Sequence, residues 1–142
     1  MTYLYLILAK QFTLGKAERL KSRKLTELLF SEGNKFTIAP FRIHYSFTKA
    51  EKTSLHPIAI GFGAGVGKKN FKKAIDRNRI KRLIREAYRL QKTILKEKLT
   101  EKKSQLLIFF IYTGKDLPAY KEVYEKIGKG LDKLCVILSE IK

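Results

Sequence analysis

The segment of this sequence best suited to chemistry is a basic stretch, residues 68–89, which holds ten Lys or Arg residues against two acids. From residue 77 onward, its basic residues are five arginines and one lysine. A guanidinium binds phosphate through two parallel hydrogen bonds and can stack on a base, whereas a lysine acts as a point charge. The residue types therefore indicate that this segment binds the phosphates of a nucleic acid.

Helical spacing separates the basic side chains of this stretch from the apolar ones. The apolar positions of the predicted helix share one arc: Ile80, Leu83, Ile84, Ala87 and Leu90. Four basic side chains recur every four residues on the opposite arc: Arg77, Lys81, Arg85 and Arg89. A solvated helix face usually mixes both signs of charge, and like charges four residues apart destabilise an isolated helix. The stripe thus favours neutralisation by phosphates over a merely solvated surface.

Side chains suited to hydrolysis or metal binding are sparse. The sequence has one cysteine, Cys135, and two histidines, His44 and His56. We expect no catalytic residue and no metal ligand in this chain, although a ribonuclease built on the two histidines stays open as an alternative. The glycine-rich residues 61–67 are followed by Lys68 and Lys69, so they lack the ending of a phosphate-binding P-loop. They indicate a strand end and a loop.

Length and charge restrict the class of protein. The 142 residues suit a single domain, and 31 Lys plus Arg against 13 Asp plus Glu give a net charge of +18. A compact domain with this charge repels itself, which points to a polyanionic partner. The apolar run over residues 3–9, which no other run exceeds in length, is far shorter than the roughly 18 residues of a membrane span. We expect an N-terminal extension over residues 1–15, a folded domain over residues 16–142 and no membrane partner.

Two helices are predicted on either side of the basic one. Apolar residues indicate a first helix over residues 16–32, which ends at Gly33. The basic helix is predicted from residue 71 or 74 to residue 95 or 98. A last helix is predicted from about residue 118 to 138, because apolar residues repeat there at helical spacing.

Three segments have strand patterns. Residues 41–48 alternate between apolar and polar side chains, which predicts a strand with one buried face. Residues 58–62 predict a second strand, whose glycines leave one face open to close approach. The apolar run within residues 104–112 predicts a central strand. Together the elements predict an α+β fold, a small α-β sandwich with a mixed sheet.

The basic helix carries a specific resemblance. Arg77-Asn78-Arg79, followed by Ile80-Lys81-Arg82-Leu83-Ile84-Arg85-Glu86, is similar to the signature of the bacterial ribonuclease P protein component, and the similarity extends over residues 19–138. The resemblance implies the order αβββαβα with a left-handed crossover around the basic helix. It also implies the small subunit of a ribonucleoprotein that removes the 5′ leader from precursor tRNA, in which the RNA subunit catalyses hydrolysis with Mg²⁺ ions.

The resemblance also implies roles for individual residues. The implied RNA contacts are Lys68, Lys69, Lys72, Lys73, Arg77, Asn78, Arg79, Lys81, Arg82, Arg85 and Arg89. Asn78 could organise the motif as much as touch RNA. Arg79 falls near the edge of the apolar arc, so its role could be structural. The implied leader cleft contains Thr26, Phe30, Arg42 and His44, and many members have aromatic rings where this chain has Thr26 and His44.

The implied partners are the ribonuclease P RNA, at one protein per RNA, and precursor tRNA, in the cytoplasm. The Mg²⁺ ions would be bound mainly by the RNA subunit and the substrate. A ribosomal or general structural RNA-binding protein is the alternative that charge and fold class leave open. A DNA-binding helix-turn-helix is disfavoured, because the basic helix follows a glycine-rich strand and not a short helix.

Overall fold

The computed structural model describes residues 19–20, 23–49 and 60–141. Those residues form four strands and four helices. The strands are β1 (Asn34–Ile38), β2 (Phe41–Lys49), β3 (Ile60–Val66) and β4 (Ser104–Tyr112). The helices are α1 (Arg23–Glu32), α2 (Ala74–Gln91), α3 (Thr93–Glu101) and α4 (Tyr120–Glu140).

The four strands form one mixed sheet in the order β1-β2-β4-β3. β2 pairs antiparallel with β1 and with β4, whereas β3 pairs parallel with β4. The α2–α3 segment connects the parallel pair, and it is the crossover to which the resemblance attributes a left hand. The α+β class and the mixed sheet are confirmed, and the order αβββαβα is confirmed with its long helix broken in two.

The core lies between one face of the sheet and helices α2, α3 and α4. Alternate residues of the central strand β4 are fully buried on this face, among them Leu106, Ile108 and Phe110. The ring of Tyr88 in α2 stacks on Phe62 of β3, with 3.9 Å between the ring centroids and 3° between the planes. This apolar layer fixes the position of the basic helix against the sheet.

The strand predictions hold best where alternation is regular. The predicted strand over residues 41–48 is β2, and its Phe41 and Ile43 are buried as expected. The glycine-rich residues are strand and not loop up to Val66, because β3 pairs with β4 along its whole length. β1 is not indicated by residue spacing in the sequence, since in five residues only Phe36 and Ile38 pack against the core.

The first helix is shorter than predicted. It begins at Arg23, whereas Arg19 forms a parallel bridge with Phe62 and the Leu20 N–H donates to the Phe62 carbonyl over 2.7 Å. Residues 19–20 are extended because β3 is an edge strand whose backbone groups need partners. Within α1 Leu29 is buried, while Leu25 and Leu28 are exposed, so only part of the helix's apolar side is buried.

The predicted long helix is interrupted at Lys92, which separates α2 from α3. The Gln91 side-chain amide donates to the Ala87 carbonyl over 3.1 Å and to the Tyr124 carbonyl of α4 over 2.9 Å. Side-chain hydrogen bonds to helix carbonyls are a recognised cause of such breaks. Tyr88 is fully buried and Leu90 is exposed, so the buried arc of α2 is rotated from the predicted one.

Several predictions fall outside the described residues. These are the N-terminal extension over residues 1–15, the apolar run 3–9, the beginning of the predicted first helix, His56, and the start of the strand predicted at residue 58. Within the described ranges, none of the helices combines the length and the apolar character needed to cross a bilayer.

Candidate nucleic-acid interface

The basic loop before α2 is held at three points. Phe71 is buried in the core and its ring lies 6.0 Å from that of Tyr112. The Asn70 side-chain amide donates to the Thr113 and Gly114 carbonyls over 3.2 and 3.3 Å. Arg77 reaches back from the first turn of α2. The loop therefore presents its four exposed lysines from a fixed backbone: Lys68, Lys69, Lys72 and Lys73.

Arg77 has a structural role that its predicted place on the outward arc did not suggest. Its Nη1 donates to the Phe71 and Lys72 carbonyls, each over 2.8 Å, and the side chain is half-buried. The outward position was wrong because the buried arc of α2 includes Tyr88, which brings Arg77 toward the packed side. Arg77 thus fixes the loop with one nitrogen and keeps its charge at the loop's edge.

The remaining predicted contacts differ in exposure. Asn78, Arg79, Arg82 and Arg85 are exposed. Lys81 and Arg89 are half-buried. Arg89 donates to the Glu86 carboxylate over 2.5 and 3.1 Å, and these hydrogen bonds lower the pKa of Glu86. Part of the charge of Arg89 is therefore already neutralised.

The described part of the chain does not neutralise most of the exposed cations of the loop and helix. Seven of them have no carboxylate partner among the residues that the structure describes: Lys68, Lys69, Lys72, Lys73, Arg79, Arg82 and Arg85. We call these seven residues the basic surface. Concentrated like charge without internal compensation is what a phosphate backbone would neutralise.

An aromatic cluster lies on the other face of the sheet. The Phe30 ring of α1 meets His44 of β2 edge to face, with ring centroids 4.7 Å apart, and meets Phe109 of β4 at 5.1 Å. His44 and Phe109 are direct partners in the β2–β4 register. Phe30 remains 41% exposed, whereas His44 is 8% exposed. We call Phe30, His44 and Phe109 the aromatic cleft.

His44 is less exposed than its place on a polar strand face predicts, because the Phe30 ring covers it. Burial lowers the pKa of His44, and the nearby charges of Arg42 and Lys35 lower it further. The imidazole is therefore neutral at pH 7 and offers one donor and one acceptor nitrogen. Arg42 is exposed two residues away on the same strand face, where its charge is available to a phosphate.

The structure brings together some predicted cleft residues and adds others. Phe30 and His44 are in contact, and Thr26 lies one helical turn before Phe30, half-buried. The sequence does not single out Phe109, because a continuous apolar run does not reveal which side chains reach an open face. Its ring lies over β3, where an added Cβ at Gly63 would stand 2.5 Å from Phe109 Cε2. The available signal in the sequence was the recurrence of glycine at every second residue of β3, which leaves room for a ring from the neighbouring strand.

The basic surface and the aromatic cleft meet at the β3 edge of the sheet. Arg85 of the basic helix and Phe109 of the cleft line the same pocket there. In the described ranges, no group of three His, Cys, Asp or Glu side chains could hold a metal ion. The cations of the basic surface can bind phosphates, and the rings of the aromatic cleft can stack on bases. Proteins that bind single strands use this combination.

Several known proteins are similar to this chain in sequence or in fold. A family model for ribonuclease P matches residues 14–135. The ribonuclease P protein component of Porphyromonas gingivalis is 34% identical over 123 residues, covering 87% of each chain. That of Chlorobaculum tepidum is 35% identical over 107 residues, covering 72% of this chain and 68% of that one. The structure of Staphylococcus aureus RNase P protein has a similar fold, with a TM-score of 0.62 at 20% identity, covering 87% of this chain and 99% of that one.

Proposed function

The chain belongs to the ribonuclease P protein family, and from this premise we propose how its two surfaces divide the work of tRNA 5′ maturation. The basic surface binds the ribonuclease P RNA. The aromatic cleft holds the single-stranded 5′ leader of precursor tRNA. Hydrolysis of the phosphodiester bond takes place in the RNA subunit, one protein binds one RNA, and the complex acts in the bacterial cytoplasm.

The observation that carries this proposal is the continuity of two chemically different surfaces. The seven cations of the basic surface lie on a fixed loop and a packed helix, and one of them, Arg85, borders the same pocket as Phe109 of the cleft. Folded RNA presents phosphates, for which cations suffice. A single strand also presents unstacked bases, for which aromatic rings are needed. A precursor tRNA bound to its processing RNA offers both.

The chemistry of the described side chains supports placing catalysis in the RNA. His44 is 8% exposed beneath the Phe30 ring, a poor position for proton transfer to or from a substrate, and His56 lies outside the described residues. Mg²⁺ prefers carboxylate and phosphate oxygens, and the basic surface offers neither. We therefore assign the Mg²⁺ ions to the RNA and the substrate. The cations of this chain reduce the repulsion between the two RNAs, so less Mg²⁺ is required for their assembly.

Cleavage of a 5′-labelled precursor tRNA at low Mg²⁺ tests the proposal. A bacterial ribonuclease P RNA, this protein, and the two together are compared under the same conditions. We expect cleavage at the mature 5′ end only when the RNA and the protein are both present. Cleavage by the protein alone would place the active site in this chain, with His44 and His56 as the first residues to substitute. No stimulation by the protein of its cognate RNA would favour a general RNA-binding protein.

A further inference from the structure

A cavity of about 380 Å³ lies in the helical layer of the molecule, where the junction of α2 and α3 meets α4. Most of its wall is apolar and is formed by Leu90, Ile94, Leu95, Leu131 and Cys135. Sites for small molecules are typically about 300–1,000 Å³, with apolar walls and a few polar groups. No residue of the basic surface or of the aromatic cleft lines this cavity, so neither surface accounts for it.

The polar part of the wall begins with Gln91, the last residue of α2. Its side-chain nitrogen donates to the Ala87 and Tyr124 carbonyls over 3.1 and 2.9 Å. These bonds use both amide hydrogens, so the oxygen Oε1 is the atom that Gln91 presents as an acceptor. A Cβ added at Gly128 would stand 2.5 Å from this oxygen. Glycine weakens the middle of a helix, and here its lack of a side chain gives the amide its place.

Two further polar groups line the cavity. Thr93 Oγ1 is buried and has no hydrogen-bond partner in the described part of the chain. Buried hydroxyls are nearly always hydrogen-bonded, so this one is available to a ligand that enters the cavity. Asp132 is exposed at the wall and forms no ion pair with a described residue. The wall therefore presents a carboxylate, an amide oxygen and a hydroxyl, all of which accept hydrogen bonds.

The charge around the cavity permits a cationic ligand although the chain has a net charge of +18. Helix α3 has two lysines and two glutamates, and α4 has four lysines against four acids, so the two helices are neutral in sum. Burial raises the pKa of the Cys135 thiol in the wall, whereas the charge of Lys98 lowers it and that of Asp132 raises it. The Tyr124 ring, 39% exposed, adds an aromatic face of the kind that attracts cations.

We propose that this cavity binds a small molecule that combines a compact apolar ring with a protonated amine. The ring lies against the apolar wall, and the amine donates to Asp132, Thr93 Oγ1 and Gln91 Oε1. No lysine or arginine lines the cavity, so an anion in the same place would face Asp132 without a compensating cation. The site is separate from both proposed RNA-binding surfaces and does not depend on them.

The test titrates the free, full-length protein with two probes that share one ring. Tryptamine joins an indole to an ammonium group, and indole-3-propionate carries a carboxylate instead. Amide chemical shifts of the ¹⁵N-labelled protein report where each probe binds. We expect tryptamine to shift residues 90–95 and 124–135 saturably, with a Kd about tenfold or more below that of indole-3-propionate, because one charged hydrogen bond contributes at least this factor.

Two variants test the polar wall. Asp132→Asn should weaken tryptamine binding by about tenfold without weakening that of indole-3-propionate. Asp116→Asn is the matched control, because it removes the same charge at an exposed residue that does not line the cavity. Thr93→Val keeps the shape and removes the hydroxyl. It should weaken tryptamine binding by a smaller factor and raise the urea midpoint of the ligand-free protein, since the buried hydroxyl has no described partner.

A chemical measurement reports on the cavity alone. Cys135 is the one cysteine of the chain and lies in the cavity wall. Bound tryptamine should therefore slow the alkylation of Cys135 by iodoacetamide. The same protection is expected in the reconstituted holoenzyme, because no residue of the basic surface or of the aromatic cleft lines the cavity.

Each outcome decides for or against the site. Absence of saturable shifts, or shifts confined to the aromatic cleft, would overturn it. Equal affinities for the two probes would contradict the assignment of the polar wall to an amine. An unchanged Kd for tryptamine in both Asp132→Asn and Thr93→Val would contradict it as well.

Discussion

The two faces of the sheet differ in how they use the same strands. On one face, the alternate residues of β4 are buried under three helices. On the other, α1 covers the sheet sparsely, and Phe30 is 41% exposed above His44 and Phe109. The first face determines the fold, and the second leaves aromatic surface for a ligand. Aromatic side chains therefore have opposite roles on the two faces, which substitution can separate.

The largest expected effect is on stability, from truncating a ring of the closed face. Tyr88→Ala removes a fully buried ring stacked on Phe62 and should lower the free energy of unfolding by about 3–5 kcal/mol. Phe30→Ala removes a half-exposed ring and should cost about 1 kcal/mol. Urea unfolding of the free protein measures both. Equal losses would mean that the cleft ring is as important to the fold as the core ring.

The next effect concerns the loop that carries the lysines. Arg77→Lys keeps the charge but loses the guanidinium that donates to the Phe71 and Lys72 carbonyls. We expect about tenfold weaker binding of the subunit RNA, together with faster amide hydrogen exchange in the loop. Arg82→Lys, at an exposed position of the same helix, is the control and should retain most of the affinity. Similar affinities for the two variants would argue that charge alone matters at Arg77.

A smaller change should extend the cleft. Thr26 lies one turn before Phe30, so Thr26→Phe adds a ring beside the existing cluster. A stacked base contributes about 1–3 kcal/mol, and part of that gain should appear as tighter holoenzyme binding of precursor tRNA. Mature tRNA is the control substrate. Unchanged precursor affinity in a folded variant would remove Thr26 from the cleft.

The smallest effect is a pH dependence that belongs to the cleft face. Burial and the charges of Arg42 and Lys35 lower the pKa of His44 below its usual 6.5. As the pH falls, the unfolded chain therefore takes up this proton before the folded chain does. The contribution of neutral, buried His44 to the free energy of unfolding is present above about pH 6.5 and is lost as the pH falls toward the lowered pKa. The slope of one group is at most about 1.4 kcal/mol per pH unit. His44→Gln should lose this dependence between pH 7 and 5.5 in thermal unfolding, and an unchanged slope would assign it elsewhere.

Regular patterns in the sequence were sufficient to predict part of this structure. Alternation in residues 41–48 identifies β2 and its two faces, because a strand repeats every two residues. The arginine-rich stretch identifies the basic helix without tertiary information. Both features are local, so the sequence around them contains what is needed.

Features that depend on distant partners were not predictable in the same way. The position of Arg77 depends on which apolar side chain of α2 packs on the sheet, and the sequence offers both Tyr88 and Leu90 for that contact. The place of Phe109 depends on the empty glycine face of a neighbouring strand. The extended backbone at Arg19 depends on the unpaired edge of β3. In each case long-range packing decides among local alternatives.

The separation of the two binding surfaces is tested most directly by measuring two affinities in the same two variants. Arg82→Ala removes an exposed cation of the basic surface, and Phe30→Ala removes a ring of the cleft. The account predicts that Arg82→Ala raises the Kd for the ribonuclease P RNA by about tenfold while the leader-dependent gain in precursor affinity persists. For Phe30→Ala we expect an unchanged Kd for the ribonuclease P RNA and a smaller leader-dependent gain in precursor affinity. Parallel changes of both affinities in both variants would contradict the division between the surfaces.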